Sequence, residues 1–461
     1  MDTNLIVRLY RVGFGDCIYV QIPDGADTFT MLIDCGTSGA AEATLKPVVN
    51  HVISQLPNGK DNQPRLDLLV VTHPHADHMK GFDPAWFKGV TIGRIWMTTF
   101  MNQKHPQAQK AQAFEAAAFA AAKSLLERPG LHLALGAQAL LFRSLSLSNT
   151  GALSALRNDL KTIHPRLYVA RDVADHLSKP DQMKHKLSLE NGITCFRGFQ
   201  EQDTCLRILA PEWNIDGTYL GQFASTGSAF LDPRLLQTEA YTSPPEKAEA
   251  LLPDVPVNET PAHAEPQPAN ISTRDFRLLR SRLLYSALAF SQDDDDLKNN
   301  VSVVLLLEWR GKRLLFTGDA EWDGTGVQPG QRNCSWDVML NNQAVKKLLL
   351  QPLDLLKVAH HGSINGSPLC PPKEKQILPQ IASPKRTHIL ISTVVGVHGK
   401  KNPVPYPPLM AELGRLAVNQ RTYPDGEPEL IGKAQPRRTD LESDSTVAGV
   451  DYLEEALEPD Q

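Results

Sequence analysis

Apolar residues in the first hundred positions alternate between the spacing of strands and the spacing of helices. Several β-rich runs are broken by Gly, Pro and Asp turns, which is typical of strands: NLIVRLYRV, CIYVQI, FTMLIDCG and TIGRIWMTTF. The run AAEATLKPVVNHVISQL has helical spacing. RLDLLVVTH is nearly continuous in apolar residues, as expected for a strand buried on both faces. This alternation predicts an α/β fold.

The same kinds of element return in the second half of the chain. The expected strands are ITCFRGF, CLRILAP, VSVVLLLEW, KRLLFTGDA, DLLKVAHHGS and THILISTVVG. Helices are expected around Trp336 to Leu350 and near Pro407 to Val418. Because β-rich segments occupy both ends of the chain, the pattern favours one large domain with insertions over two consecutive domains.

The middle of the chain is less regular. An Ala-rich run that stops at Pro-Gly predicts a helix from Ala108 to roughly Glu127. Residues 240–272 are rich in Pro, Ala and Glu, which is typical of an exposed insertion that builds no core. We predict a single domain over residues 1–436, with its core in 1–100, 192–212 and 298–425 and insertions at 101–191 and 213–297. The polar, acidic residues 437–461 are predicted to form a loose tail.

Composition limits the classes of function. The formal net charge is −5, so no overall basic field draws the chain to nucleic acid or to an anionic membrane, and a phosphate-rich substrate would need a local site. Neither a secretory signal nor a membrane span is predicted, because the basic and apolar runs that they require do not occur. The six cysteines are scattered without a CxxC pair, which favours reduced thiols and a cytoplasmic location.

The segment THPHADHMKG concentrates four side chains of metal-binding type directly after a buried strand. His73, His75, Asp77 and His78 fall within six positions, and imidazole and carboxylate groups suit zinc, iron or manganese. His73 and His75 share one side of an extended stretch, and Asp77 and His78 come one turn later. One short loop is therefore expected to serve two metal ions.

This segment resembles the His-x-His-x-Asp-His signature of the metallo-β-lactamase fold superfamily. MLIDCG resembles the superfamily's first motif, in which Asp34 would orient the ligand loop, and LLFTGDAE resembles its later Gly-Asp motif, in which Asp319 would bridge two metals. LLKVAHHGS resembles the last histidine motif; we favour His360 as the ligand and place His361 near the substrate, although the sequence leaves the choice open. The resemblance implies an αββα four-layer sandwich with a large helical and irregular insertion.

The ordered set of motifs is similar to the hydrolase domain of ComEC-type DNA-uptake proteins and to their relatives without membrane helices, which include nucleases and other phosphodiesterases. The similarity covers residues 5–98 and about 300–400. Many superfamily members carry a further metal histidine between the two halves, and no histidine of this chain lies in a matching motif. The cofactor is expected to be two Zn²⁺ ions, with Mn²⁺ or Fe²⁺ as alternatives and with one strong and one weak site as the alternative count.

The resemblance implies a metal-dependent hydrolase that acts on phosphodiesters, with nucleic acid among the candidate substrates. Asp77 would ligate one metal and help to position the nucleophile, and His361 or His398 would donate a proton to the leaving oxygen. Two alternatives stay open. The same site would serve an amide, lactone or thioester hydrolase, and a metal-bound interaction protein without activity would carry the same ligands.

Overall fold

A computed structural model of the chain describes residues 4–39, 41–102, 104–108, 166–172, 178–220, 297–366, 368, 377–394, 403–417, 447 and 450–460. Nearly all of the helix predicted from Ala108, the insertion at 240–272 and His398 lie outside these residues. Within the described ranges, no helix combines the length and the apolar character that crossing a bilayer requires.

Sixteen strands lie in the described residues. They are β1 (Leu5–Tyr10), β2 (Cys17–Asp24), β3 (Asp27–Cys35), β4 (Arg65–Leu66), β5 (Leu68–Val71), β6 (Thr91–Ile92), β7 (Ile95–Thr98), β8 (Arg166–Val169), β9 (Leu187–Glu190), β10 (Ile193–Phe196), β11 (Cys205–Ala210), β12 (Val304–Trp309), β13 (Lys312–Phe316), β14 (Leu355–Lys357), β15 (His388–Leu390) and β16 (Tyr452–Leu457). The α-helices are α1 (Ala41–Gln55), α2 (Ala76–Met79), α3 (Lys179–His185), α4 (Ser335–Asn341), α5 (Gln343–Leu349), α6 (Leu378–Ile381) and α7 (Pro407–Leu416).

Two seven-stranded sheets form the centre of the fold, and each is antiparallel on one side and parallel on the other. The first sheet has the order β16-β1-β2-β3-β5-β7-β8, and the second has the order β15-β14-β13-β12-β11-β10-β9. In the first sheet β3, β5, β7 and β8 run parallel, and in the second sheet β13, β14 and β15 run parallel. A short separate sheet pairs β4 with β6.

Alternation of side chains along each strand builds three apolar layers. In β5, Leu68 and Val70 pack between the two sheets, whereas Leu69 and Val71 point to the opposite face, in the cluster that contains α1 side chains. In β12, Leu305 and Leu307 join the layer between the sheets, and the intervening residue joins a cluster with α4 to α7. The sandwich therefore has helices outside both sheets, and the predicted α/β, four-layer αββα fold is confirmed.

Residues 450–460 differ from the prediction of a loose tail at 437–461. Strand β16 pairs antiparallel with β1, from Leu5 opposite Leu457 to Tyr10 opposite Tyr452. Leu453 and Leu457 pack into the layer between the sheets, and Glu455 between them is buried against the His388 imidazole at 2.6 Å. A buried carboxylate interrupts the apolar alternation, which is why the pattern did not indicate a strand. Strands β8 and β9 likewise lie in the range predicted as the first insertion.

Two further details differ from the predictions. The helix expected from Trp336 to Leu350 is divided at Asn342, whose side chain accepts the backbone N–H groups of Ala344 and Val345 and so begins a new helix. Cys195 on β10 and Cys205 on β11 form a disulfide, whereas all cysteines were predicted to be reduced. Both sulfurs lie on adjacent strands, a proximity that their spacing in the sequence did not reveal.

Candidate metal centre

The ends of the parallel strands bring the candidate ligands to one rim of the sandwich. Parallel strands finish at the same edge of a sheet, so the loop after β5 that carries His73 to His78 lies beside the end of β3. In the second sheet, Asp319 follows β13 and His361 follows β14. A backbone hydrogen bond from Val303 N–H to the Thr72 carbonyl, at 3.0 Å, joins the two sheets at this rim.

His78 is held between a carboxylate of each sheet. Its Nδ1 lies 2.8 Å from Asp34 Oδ2, and its Nε2 lies 3.2 Å from Asp319 Oδ2. Thr72 fixes Asp34 in turn by donating its backbone N–H and its hydroxyl to the two carboxylate oxygens. Because an ionised carboxylate only accepts, Nδ1 is the donor and the Nε2 lone pair of a neutral His78 faces a second carboxylate. That arrangement needs a proton or a metal cation at Nε2.

His361 repeats this arrangement from the second sheet. Its Nδ1 donates to the carbonyl oxygen of Ser392 at 3.0 Å, so Nε2 is the acceptor of the neutral ring. Nε2 faces Asp77 Oδ2 at 3.2 Å and Asp319 Oδ2 at 3.6 Å. A second imidazole lone pair therefore points at carboxylates in a buried place, and the tautomer is fixed by a backbone carbonyl, as is common for histidines that ligate metals.

His73 and His75 complete the cluster on the side of the first sheet. His73 is fully buried, with Nδ1 3.0 Å from the Thr72 hydroxyl and Nε2 3.8 Å from Asp319 Oδ2. The same Nε2 lies 3.0 Å from Nδ1 of His75. The ring centroids of His73 and His78 are 4.1 Å apart. Of the four predicted loop residues, His73 and His78 thus approach Asp319 directly, whereas His75 contacts His73 and Asp77 faces His361.

The spacing of the donor atoms fits metal binding. Two groups that both ligate one ion at roughly 2.0–2.2 Å are about 3.3 Å apart in tetrahedral geometry. Three sets of three donor atoms within 4.8 Å of one another share His78. Two consist entirely of candidate ligands, namely His73, His78 and Asp319, and Asp77, His78 and His361; the third is Asp16, Asp34 and His78. Asp319 also approaches His361, so the two sets adjoin and the residues present fit one or two ions.

Burial and opposite charges shift the pKa values in this cluster in different directions. Burial lowers the pKa of His73, and the neighbouring imidazoles add to that effect. Burial also acts to lower the pKa of His78 and His361, but facing carboxylates, Asp319 foremost, outweigh it and raise both. Burial acts to raise the pKa of Asp77, but the His78 and His361 imidazoles bring it well below the usual range. Without a metal, protons on His78 and His361 supply the compensating positive charge.

His360 faces another carboxylate, which differs from the preference for His360 as the ligand. His360 and His361 both have left-handed backbone, with φ of 47° and 52°, a conformation that side chains other than glycine rarely adopt. This turn directs His361 into the cluster and His360 toward Glu321, whose Oε1 lies 3.3 Å from Nδ1. Burial lowers the pKa of His360 to about 4, so its imidazole is neutral at neutral pH.

Glu321 anchors a polar network beside the cluster. Its Oε1 accepts the side-chain amides of Asn299 and Asn365, and its Oε2 accepts that of Asn300. Ser302 lies in the same segment as Asn299 and Asn300, just before β12, and its Oγ accepts the backbone N–H of Asp319 at 3.2 Å.

Two glycines allow the loops to approach closely. A Cβ on Gly36 would lie 2.2 Å from the carbonyl carbon of Asp77, so only glycine lets the segment after β3 pack on the ligand loop. Gly318 has φ of 53° and would place a Cβ about 3 Å from Ser302 and Thr72. The predicted Gly-Asp motif is therefore the left-handed turn that presents Asp319.

Residues 10–90 match the family model of the metallo-beta-lactamase superfamily. Members of this superfamily are generally hydrolases and typically bind metal ions, often zinc. The matched segment contains Asp34 and the His73–His78 loop, and the four-layer fold is consistent with the superfamily's fold. Asp319 and His361 lie beyond the match, and their convergence on the loop is seen only in the structure. No curated protein matches the chain.

Three residues at this rim carried no predicted role. Asp16 directly precedes the run CIYVQI, Lys357 stands inside the motif LLKVAHHGS, and Ser392 follows β15. A charged Lys357 at the end of an apolar strand was the one visible signal, because lysine is rarely buried unless it is paired. Their partners are distant in the sequence, so pattern alone did not connect them.

Proposed function

We propose that the protein is a metal-dependent hydrolase that cleaves phosphodiester bonds. The observation that carries this proposal is the pair of buried imidazoles, His78 and His361, whose Nδ1 atoms are held as donors while their Nε2 atoms face carboxylates at 3.2 Å. The Nε2 lone pairs of His78 and His361 both point toward Asp319. Two ordinary ion pairs would not require this convergence on one carboxylate. Bound metal cations explain the arrangement, because their charge takes the place of the protons that the two Nε2 atoms would otherwise need.

The ligand set that we assign consists of residues from both sheets: His73, His75, Asp77, His78, Asp319 and His361. His361 replaces His360 in this set. Imidazole and carboxylate donors fit Zn²⁺, and we propose that these residues would hold two zinc ions; Mn²⁺ and Fe²⁺ are the alternatives. When bound, such ions supply Lewis-acid polarisation of the scissile group and a water of lowered pKa.

The remaining chemistry belongs to side chains of the chain itself. Asp34 and the Ser392 carbonyl keep Nδ1 of His78 and His361 protonated, which holds the opposite nitrogens toward the centre. Asp77, which is 18% exposed, is open to the substrate side and would position the attacking water. Protonation of the leaving oxygen by His361 or His398 stays a prediction from the sequence, since His398 lies outside the described residues.

Support for phosphodiesters as the substrate class comes from the order of the motifs, which resembles that of phosphodiesterases and nucleases. The net charge of −5 favours short substrates or a local groove over non-specific binding of long duplexes. An amide, lactone or thioester hydrolase would use the same ligands, so the substrate class must be decided by turnover.

The test compares bis-p-nitrophenyl phosphate with nitrocefin, each with Zn²⁺ or Mn²⁺ and each with a chelator. We expect chelator-sensitive turnover of the phosphodiester and none of nitrocefin. Asp319→Asn protein purified in parallel is the control for contaminating activity, since it removes the carboxylate between the two ligand sets. Turnover of nitrocefin alone would support the amide-hydrolase alternative, and turnover of neither by zinc-loaded protein would favour a non-catalytic role.

A further inference from the structure

A buried ion pair joins the two sheets directly beneath the ligand cluster. Asp16 lies in the loop that enters β2 of the first sheet, and Lys357 is the last residue of β14 in the second. Lys357 Nζ donates to Asp16 Oδ2 at 2.8 Å, and each side chain is only 1% exposed. Removing two charges from water is costly unless they are paired, so each residue holds the other in place.

The second oxygen of Asp16 is connected to His361 through one residue. Asp16 Oδ1 accepts the hydroxyl of Ser392, and the carbonyl of Ser392 accepts Nδ1–H of His361 at 3.0 Å. Ser392 therefore has its side chain fixed by the ion pair and its backbone fixed to a ligand. A shift of Asp16 would move the carbonyl that sets the tautomer and the ring orientation of His361.

The backbone of Asp16 is connected to Asp77 in the first sheet. Its N–H donates to the Asp77 carbonyl at 3.0 Å, and its own carbonyl accepts the N–H of Gly36 at 2.9 Å. Asp77 and His361 face each other at 3.2 Å across the centre. Asp16 is therefore hydrogen-bonded both to the backbone of Asp77 and to Ser392, the residue that holds His361.

A second buried carboxylate at the opposite end of β14 shows what a solely structural pair looks like. Asp354 is 3% exposed and pairs with Arg386 at 2.8 Å and with Lys312 at 3.5 Å. It lies just before β14, whereas Lys357 ends the strand, and its carboxylate bonds Arg313, Arg386 and Lys312, none of which is a candidate ligand. The two carboxylates are comparably buried and differ in their position relative to the rim.

We propose that Asp16 and Lys357 are positioning residues of the metal centre, which set the separation of the two sheets and the orientation of His361 relative to Asp77. This inference rests on the proposed metal-dependent function. It assigns the pair no contact with the substrate.

The test measures zinc affinity by competition with a chromogenic chelator and the visible spectrum of Co²⁺-loaded protein. The variants are Lys357→Met, Asp16→Asn and Ser392→Ala, with Asp354→Asn as the matched control. We expect zinc affinity to fall about 10–100-fold in the first two, as for other residues that orient metal ligands, and by a smaller factor in Ser392→Ala. The cobalt bands should change in intensity in all three and stay unchanged in Asp354→Asn.

Far-UV circular dichroism checks that each variant folds. If Lys357→Met fails to fold, the positioning role is tested with Asp16→Asn and Ser392→Ala, because both substitutions leave the volume of the site nearly unchanged. Wild-type affinity and spectrum in these two variants would overturn the positioning role, and so would an equal loss in Asp354→Asn. Wild-type protein that binds no zinc would instead contradict the proposed function itself.

Discussion

The two sheets have similar designs but supply the candidate centre in different ways. Each changes from antiparallel to parallel pairing, and each brings the ends of parallel strands to the shared rim. The first sheet contributes one continuous loop, His73 to His78, whereas the second contributes Asp319 and His361 from separate strands with two helices between them. A contiguous motif can be recognised in the sequence alone. Asp319 and His361, by contrast, are far apart in the sequence and come together only in the folded chain.

The strongest test of this comparison removes one ligand from each sheet. We expect His78→Ala and Asp319→Ala to abolish metal-dependent turnover to similar extents. The loss should exceed the roughly 10–100-fold that supporting residues cost, because each substitution leaves the facing groups without a shared cation. Zinc content after dialysis and turnover of bis-p-nitrophenyl phosphate are the measurements.

His51→Ala is the matched control for these substitutions. His51 is a buried histidine on α1 that lies 2.8 Å from the Tyr10 hydroxyl, away from the rim, so its loss should change stability and leave zinc content unchanged. If Asp319→Ala kept full zinc content and turnover, Asp319 and His361 would be structural and the first sheet would hold the metal alone.

The next prediction tests whether Asp34 orients the His73–His78 loop. Asp34→Asn should lower zinc affinity about 10–100-fold, because an amide can no longer accept from both Thr72 and His78 as the carboxylate does. The control is Asp67→Asn, directly before β5, where a partly buried carboxylate accepts the Thr30 N–H at 2.9 Å and pairs with Arg65. Equal zinc affinities of the two variants, measured by chelator competition, would contradict the orienting role.

The fold could be predicted from the sequence to the extent that apolar alternation reports it. Strands such as β5 and β12 were predicted from their apolar runs, and residues such as Leu68 and Leu305 do form the layer between the sheets, whereas the four-layer arrangement was expected from the resemblance to the superfamily. Strand β16 was missed because the buried Glu455 interrupts its alternation. Of the candidate site, the His73–His78 loop and Asp319 were named from motifs, whereas our proposal of His361 in place of His360 rests on two consecutive left-handed residues, which the sequence pattern does not encode.

A third prediction concerns the free energy of unfolding. Because the candidate ligands come from both sheets, zinc should bind only the folded chain and stabilise it by about 2.7 kcal/mol when free zinc is 100 times its dissociation constant. Chemical denaturation with zinc and with chelator measures this difference. Asp319→Ala protein should show little of it, and an equal zinc effect in that variant would place the metal elsewhere.

The smallest expected effect comes from an ion cluster of the second sheet that takes no part in the candidate centre. Glu190 on β9 accepts hydrogen bonds from Arg197 and Arg207 at 2.9–3.0 Å, and these arginines, Arg197 first, lower its pKa to about 2 from an ordinary 4.5. A lowered folded-state pKa stabilises the fold above about pH 4.5, and this contribution is lost as the pH falls toward 2.

Glu190→Gln should therefore lower the free energy of unfolding at neutral pH by about 1 kcal/mol, a value reduced for solvent screening of a partly exposed group. The difference from wild type should shrink toward zero as the pH falls from 4.5 to 2. Glu42→Gln, which loses a single exposed pair with Lys46, is the control and should change stability less. Zinc affinity should not change in either variant. If Glu190→Gln weakened zinc binding, residues of the second sheet away from the rim would also affect the metal centre. The contrast between the residues at the rim and the rest of the sheet would then be wrong.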